Sequence, residues 1–155
     1  MDEILKQLLL EEEELQFTKF NEDTAWQLGS NLVTHAVAEC LPITIDITRG
    51  DHQIFHASRP GTSVDNDEWV KRKVRLVYRF GHSSFFIDQL LKSKGKRLED
   101  AYLIPESLYA AHGGCFPVIV KGVGVVGTIT VSGLAQEDDH KLAVQAIREY
   151  LKQQN

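Results

Sequence analysis

The sequence predicts a single α+β domain in which a five-stranded antiparallel sheet is flanked by helices. Two pairs of β-rich segments, each joined by a short turn containing glycine, are typical of β-hairpins, and segments with apolar residues at helical spacing surround them. Two hairpins and one isolated strand favour antiparallel pairing, because parallel neighbours need a crossover after each strand. The length of 155 residues is typical of one domain, so we expect a single domain over 1–155.

A helix and a short strand are predicted at the start of the chain. Leu5, Leu8 and their apolar neighbours recur at helical spacing and predict the first helix. The acidic run Glu11–Glu14 ends this helix and is expected to form a solvated face. Residues 15–20 alternate apolar and polar side chains at their start, which predicts a short strand.

The second predicted helix runs from Asn21 to about Cys40. Small polar and acidic residues at its start favour a helix N-terminus, and Pro42 opposes continuation because the residue before a proline avoids helical angles. Its inward stripe is predicted to consist of Trp26, Gly29, Leu32, Val33, Ala36, Val37 and Cys40.

The first hairpin is predicted over residues 43–57. Residues 43–48 alternate apolar and polar side chains, and a second β-rich segment follows the Gly50-Asp51 turn. Asp46 lies on the strand face opposite Ile45 and Ile47, so it is predicted to face solvent or an interface.

The centre of the chain is predicted to be helical. A turn-rich loop over 58–65 leads to a helix start at Asn66, after which apolar residues recur at helical spacing as far as Phe80. Ser83 is the predicted N-cap of a further helix that stops near Gly95. Residues 98–111 are predicted to be a mixed stretch with one or two helical turns.

The second hairpin and the last helix complete the predicted fold. The segments 116–121 and 125–131 are β-rich and are separated by glycines at 122 and 124. Acidic residues from Glu137 open a last helix, whose apolar face extends to Leu151.

Composition excludes several classes of protein. The balance of 22 acidic against 17 basic residues argues against a nucleic-acid partner. No stretch approaches the roughly 18 consecutive apolar residues that a membrane span needs, so no membrane-spanning helix is expected. The acidic N-terminus does not resemble a signal peptide. Cys40 and Cys115 stand far apart without a CxxC motif, which argues against a disulfide scaffold and a zinc site. We therefore expect a cytoplasmic protein with reduced thiols.

A basic segment over 71–79 is the most charged local feature. Five basic residues fall within nine positions, and Lys71, Arg75 and Arg79 share one face of the predicted helix. Forked guanidinium groups on such a face are suited to a phosphate or carboxylate. The same pattern is typical of a solvated or subunit-contacting helix face, and we give this interpretation the greater weight.

Two turns that contain glycine, Gly113-Gly114 and Ser132-Gly133, are candidates for a ligand site, and we call them the glycine corners. Adjacent Gly113 and Gly114 let the backbone approach a ligand closely, with His112 as donor, acceptor or metal ligand. A tight turn before an edge strand explains the same string equally well. Ser132 and Gly133 follow the partner strand, so the second hairpin is predicted to bring them to the same rim.

The sequence lacks a recognisable catalytic or metal motif. Ser132, His112 and Asp46 could in principle form a nucleophile, base and orienting acid, but no motif or spacing supports that arrangement. The six histidines include no HxH or HExxH pattern, so no metal site is predicted, and no cofactor is indicated by spacing.

Several motifs together resemble a known superfamily. They are Asn66–Lys73 with Arg79-Phe80 and Ser83-Ser84, then His112–Val118, and finally Gly127–Leu134 with Asp139-His140. The chain is similar over nearly its whole length to the uncharacterised cytoplasmic branch of the GlcG/HbpS-like superfamily, often called the haem-degrading domain. This resemblance implies a profilin-like fold and a homo-oligomer built from dimers.

The resemblance also indicates site residues. It suggests a pocket rim formed by His112, Gly113, Gly114, Ser132 and Gly133. It suggests anion-binding residues at Arg72, Arg79 and Ser83.

Three functional hypotheses follow. The leading one is a non-catalytic homo-oligomeric module that binds a small anionic ligand or a protein partner, because the arginines and the glycine rim stand beside no catalytic motif. The second is haem binding or degradation, implied by the resemblance. The third is a small-molecule enzyme that uses His112 as general base.

Overall fold

The computed structural model describes residues 2–154 and confirms an α+β fold with a five-stranded sheet flanked by helices. In chain order the elements are α1 (Glu3–Glu14), β1 (Gln16–Phe17), α2 (Glu22–Ala38), β2 (Thr44–Arg49), β3 (His52–Ser58), α3 (Val64–Phe80), α4 (Ser84–Lys94), α5 (Leu98–Tyr102), β4 (Cys115–Val120), β5 (Gly124–Ser132) and α6 (Gln136–Gln153). None of the helices within this range is long and apolar enough to cross a membrane.

The sheet is mixed, whereas the sequence predicted only antiparallel pairs. Its strand order is β1-β4-β5-β2-β3, and both hairpins pair as predicted. β1 pairs with β4 in parallel, with Gln16 opposite Ile119. Most of the chain lies between these two strands, so the connection is a long crossover of the kind that parallel pairing requires.

One face of the sheet is apolar and packs against α2 and α6. The buried residues of this layer include Ile45, Ile47, Phe116, Ile129 and Val131 from the strands. They contact buried side chains of the two helices, among them Leu28, Leu32, Ala143 and Ile147. Strict alternation along β2 and β5 places these apolar residues on one side, so burial of this face provides the main core.

The opposite face of the same strands is polar and is also buried. Thr44, Asp46, Thr48, Thr128, Thr130 and Ser132 are each at most 9% exposed. The helix α3 covers them: the Tyr78 hydroxyl lies 2.7 Å from Thr48 Oγ1, which in turn lies 2.7 Å from Thr128 Oγ1. The prediction that Asp46 faces solvent or an interface is therefore wrong, because α3 packs on that side of the strand.

The N-terminal helix differs from its prediction at Glu11 and Glu12. Glu13 and Glu14 are exposed as expected, but Glu12 is buried and its carboxylate accepts hydrogen bonds from His82 Nδ1 at 2.7 Å and from the Ser83 amide at 3.1 Å. Glu11 lies 2.9 Å from Nε2 of buried His140. Glu12 thus binds the residues that lead into α4 and Glu11 binds α6, while Glu13 and Glu14 face water.

Trp26 also departs from its predicted position on the inward face of α2. Gly29, Leu32 and Ala36 are buried as predicted, whereas Trp26 is 68% exposed. Val37 and Cys40, at the end of the predicted stripe, are exposed as well. The Phe55 ring lies so close to Gly29 that a Cβ there would be 2.5 Å from it. Phe55 therefore occupies the space beneath this part of α2, and Trp26 packs edge-on against its outer side at 5.9 Å.

We expect the stability contributed by the Glu12–His82 pair to decrease as the pH rises. The hydrogen bond to Glu12 raises the pKa of His82 above its ordinary value of 6.5. The contribution is therefore complete below that value and is lost as pH rises through the higher pKa of the folded state. The Glu12→Gln substitution removes the charge and keeps an acceptor. Because His82 is partly exposed, solvent screening limits the difference in unfolding free energy to about 1 kcal/mol.

Urea unfolding of the wild type and of Glu12→Gln between about pH 5.5 and 9 measures this difference. The matched control is Glu13→Gln, which changes the neighbouring exposed carboxylate. A difference between wild type and Glu12→Gln that stays constant or grows with pH contradicts the assignment.

Candidate functional site

The two glycine corners border one cavity of about 230 Å³. We call it the His112 cavity. Its lining residues are Asp65, Asn66, Trp69, Lys73, His112, Gly113, Ser132, Gly133, Leu134, Gln136 and Asp139. β4 begins where the antiparallel β5 ends, with Cys115 opposite Thr130, so the segments before β4 and after β5 meet at one end of the sheet. The first turns of α3 and α6 close the sides.

The structure brings together the residues predicted as a pocket rim. His112, Gly113, Ser132 and Gly133 line the cavity. Gly114 does not line the cavity but contacts two residues that do, Lys73 and Asp139; at its φ of 134° an added Cβ would clash with the Val131 carbonyl oxygen. This backbone conformation and this close approach together require glycine. The shared rim is therefore present, and its role in ligand binding stays a prediction.

The three residues predicted to bind anions are dispersed. The Arg72 guanidinium lies beside the cavity, 4.5 Å above the Trp69 ring, and donates twice to the Glu106 carbonyl oxygen at 2.9 and 2.6 Å. Arg79 lies further along α3 in a separate groove with Arg75. Ser83 is fully buried, and its hydroxyl caps α4 by accepting from the Phe86 amide at 3.2 Å.

Arg79 and Ser83 therefore do not belong to the His112 cavity. Residues 72 and 79 point in nearly the same direction, but seven residues separate them by about 10 Å along the helix axis, so they lie beside different neighbouring elements. The Ser83 motif is explained by helix capping. Of the three, only Arg72 is positioned to influence a ligand in this cavity.

A buried ion pair in the cavity wall was missed by the sequence analysis. Lys73 and Asp139 are 3% and 2% exposed, with Nζ 3.5 Å from Oδ2. Lys73 Nζ also donates to the Val131 carbonyl oxygen at 3.2 Å. Asp139 accepts from the amides of Gly133 and Leu134 at 3.3 and 2.9 Å, which fixes the corner after β5. The sequence contains a signal for the burial of Lys73, since residue 73 falls between the apolar positions Val70 and Val77 on the inward stripe of α3.

Burial shifts the pKa of both partners toward their neutral forms. It raises the pKa of Asp139 to about 6, against the opposing effects of Lys73 and of two amide hydrogen bonds. It lowers the pKa of Lys73, against the opposing charge of Asp139. Beneath them the Cys115 thiol, fully buried, has a pKa of about 12 and stays neutral. Of these three groups, Asp139 is the one whose pKa is brought near neutral pH.

His112 stands at the mouth of the cavity with its ring 4.9 Å from that of Trp69. Partial burial lowers the pKa of His112, and the charges of Lys73, Arg72 and Lys92 lower it further, against the opposing effect of Asp88. The imidazole is therefore neutral at physiological pH. Lys73 is paired with Asp139 and Lys92 with Asp88 at 3.1 Å, so Arg72 is the cation among these three that forms no ion pair with a carboxylate within the described residues.

The arrangement of Ser132, His112 and Asp46 as a catalytic triad is not assembled. Asp46 instead binds His56, whose Nδ1 lies 2.8 Å from Oδ2, and accepts from the Gln53 side chain at 2.6 Å. Within residues 2–154 no carboxylate forms a hydrogen bond with His112, and no group of three or more potential ligands is arranged to hold a metal ion. The general-base hypothesis for His112 thus lacks an orienting acid in the part of the chain described.

Comparison with known families supports the resemblance in the sequence. Residues 20–148 match the haem-degrading HbpS-like family. The chain belongs to the HbpS-like family. A UPF0303 protein of Streptomyces coelicolor is 47% identical over 144 residues, covering 92% of this chain and 91% of the relative. A UPF0303 protein of Rhizobium etli is 44% identical over 147 residues, covering 95% and 89%.

Solved structures share the fold of this HbpS-like chain. The crystal structure of the Ybr137w protein superposes with a TM-score of 0.90 at 29% identity, covering 97% of this chain and 88% of the other. HbpS itself superposes with a TM-score of 0.66 at 20% identity, covering 88% and 92%. A structure described as a PduOC–haem complex gives a TM-score of 0.67 at 18% identity, covering 84% and 92%. At these lower identities the likeness shows the fold alone.

Proposed function

We propose that this HbpS-like protein binds a small organic anion in the His112 cavity. The observation that carries the proposal is the Arg72 guanidinium, which lies 4.5 Å above the Trp69 ring of the cavity wall and forms no ion pair with a carboxylate within residues 2–154. A negatively charged ligand is attracted into such a concave site because the surrounding low-dielectric walls weaken the charges less than water does.

The size and polarity of the cavity indicate the size of the ligand. A volume of about 230 Å³ lies below the roughly 300–1,000 Å³ of sites for drug-sized molecules, so a molecule of a few non-hydrogen atoms suits it. Asn66, Ser132 and Gln136 supply hydrogen-bonding side chains, and Trp69 supplies an apolar wall. This mixture is typical of sites that orient a small polar molecule.

The proposal includes a homo-oligomer, in keeping with the resemblance to the superfamily. β3 is an edge strand, and the exposed Trp26 packs beside Phe55 of that strand. A free strand edge next to a large exposed aromatic side chain favours contact with another chain. The proposal also assigns the protein to the cytoplasm, because Cys40 and Cys115 are free thiols, which are ordinarily reduced there.

Replacing Arg72 with glutamine is expected to weaken binding of lactate, a small carboxylate. The substitution removes one of the charges that act on the cavity mouth. Loss of about 1 kcal/mol corresponds to roughly a fivefold rise in Kd. Ligand-observed NMR with the purified full-length chain measures the change.

The matched control is Arg79→Gln, a substitution of the same type on the same helix but in the separate groove. We expect its lactate affinity to equal that of the wild type. Equal losses in the two variants, or no binding of lactate, acetate or pyruvate by the wild type, contradict the proposal.

Haem binding is the second candidate function, and His112 is the observation that favours it. Its imidazole is exposed and neutral, and within residues 2–154 no hydrogen bond engages its ring nitrogens. A neutral imidazole is a common axial ligand of haem iron. The polar cavity of about 230 Å³ is too small to enclose a porphyrin, so the cavity interior does not fit haem. Only the accessible nitrogen at its mouth supports this candidate.

Titration of haemin into the protein tests this candidate. If His112 ligates the iron, the Soret band shifts in the wild type and in His52→Ala, an exposed control histidine on the first hairpin, and the shift is lost in His112→Ala. A shift that persists unchanged in His112→Ala excludes His112 as the ligand, and the absence of any shift in the wild type excludes haem binding.

A further inference from the structure

Lys73 occupies an unusual position for a lysine. Its side chain is 3% exposed in the middle of α3, and it is the only buried lysine within residues 2–154. Lysine is almost never fully buried unless the charge is paired. Here the pairing comes from Asp139, at a separation of 3.5 Å between Nζ and Oδ2.

The amine lies in the cavity wall beside the backbone of Gly114. Lys73 Nζ donates to the Val131 carbonyl oxygen at 3.2 Å, and a Cβ on Gly114 would be 2.8 Å from it. The absence of a side chain at Gly114 therefore leaves room for the amine. Lys73 and Asp139 both line the cavity, so the pair contacts the same space that a ligand enters.

The ion pair alters what Lys73 can offer a ligand. Asp139 already balances its charge, so a bound anion gains less from this lysine than from Arg72, which no carboxylate pairs with in the described chain. Burial favours the neutral form of both partners, which makes proton transfer from Lys73 to Asp139 easier than in water. A neutral amine in a desolvated cavity is a nucleophile for carbonyl carbon.

The surroundings contain no competing nucleophile. Cys115 is fully buried, is held as the thiol and does not line the cavity. Ser132 lines the cavity, but its hydroxyl is 3.5 Å from the Asn66 amide nitrogen and no base contacts it within the described chain. Lys73 is therefore the group in this wall that is suited to form a covalent bond.

We propose that Lys73 captures a small 2-oxo acid reversibly as an imine, with Asp139 as its proton partner. This inference rests on the proposed function, since the carboxylate of the ligand is attracted by the Arg72 guanidinium beside the cavity. The carbonyl must then reach Lys73 within a cavity of about 230 Å³. The ligand therefore needs a carboxylate that is attracted to the cavity and a carbonyl group that reaches Lys73. A 2-oxo acid, in which the carbonyl carbon is bonded directly to the carboxylate, is the shortest molecule that has both.

The chemical step is balanced without an external oxidant or reductant. The Lys73 ammonium transfers one proton to the Asp139 carboxylate, and the freed nitrogen lone pair attacks the ketone carbon. A C–N bond forms, the carbonyl π electrons move to oxygen, and a proton passes from nitrogen to that oxygen to give a carbinolamine. Asp139 then returns its proton to the hydroxyl group, which leaves as water while the nitrogen lone pair forms the protonated C=N bond.

Reductive trapping with pyruvate tests the inference. The full-length protein is incubated with pyruvate and sodium cyanoborohydride, which reduces the imine to a stable 1-carboxyethyl amine, and peptide mass spectrometry locates the adduct. We expect up to one adduct per chain at Lys73, formed at least about tenfold faster than at any exposed lysine. Excess lactate, which has no carbonyl group, should occupy the cavity and slow the trapping.

Two variants accompany the wild type. Lys73→Arg keeps the positive charge and removes the amine, so we expect no adduct at this position, whereas Lys71→Arg changes an exposed lysine of the same helix and should trap normally. Mapping in the wild type decides the question even if Lys73→Arg does not fold. Lactate binding without a Lys73 adduct overturns the inference and leaves the proposed function intact. Absence of both lactate binding and the adduct overturns the two together.

Discussion

The need of buried polar groups for partners organises the structure on the α3 side of the sheet, where Thr130 Oγ1 is a buried atom without a partner within residues 2–154. A polar group buried without a hydrogen bond costs about 1–3 kcal/mol, against the roughly 1 kcal/mol that a satisfied one contributes. Tyr78 and Thr128 satisfy Thr48, and His56 and Gln53 satisfy Asp46. The apolar face beneath α2 and α6 supplies most of the burial. The polar face determines where α3 lies, because donors and acceptors on α3 must meet partners at fixed positions on the strands, as Tyr78 does with Thr48.

The candidate site is the end of this polar layer. Ser132 is its last residue on β5, and the chain then turns at Gly133 into α6. Asp139 fixes that turn through two amides and meets Lys73 of α3, so the same contacts that join α3, α6 and the sheet also form a cavity wall. Asp139 thus has a structural role at the turn, and the reaction proposed for Lys73 uses the same carboxylate as a proton partner.

Much of this could be predicted from the sequence, and the failures have a common physical cause. Period-two alternation identified the first hairpin, β-rich segments around a glycine turn identified the second, and the antiparallel pairing of the second brought the two glycine corners together. Local patterns do not reveal partners that are distant in the chain, so Glu12 was expected in water although His82 and Ser83 bind it. The Lys73–Asp139 pair was missed for the same reason, although a lysine on an apolar stripe is a readable signal.

The most direct test of this account is an NMR titration of the Lys73 side chain in protein carrying ¹³C-labelled lysine. The resonance is assigned by its loss in Lys73→Arg, and the exposed lysines in the same spectrum provide the reference. If the burial of Lys73 between α3 and the sheet lowers the pKa of its amine, Lys73 loses its proton well below the ordinary lysine pKa of about 10.4. A Lys73 midpoint at or above that of the exposed lysines would contradict the account.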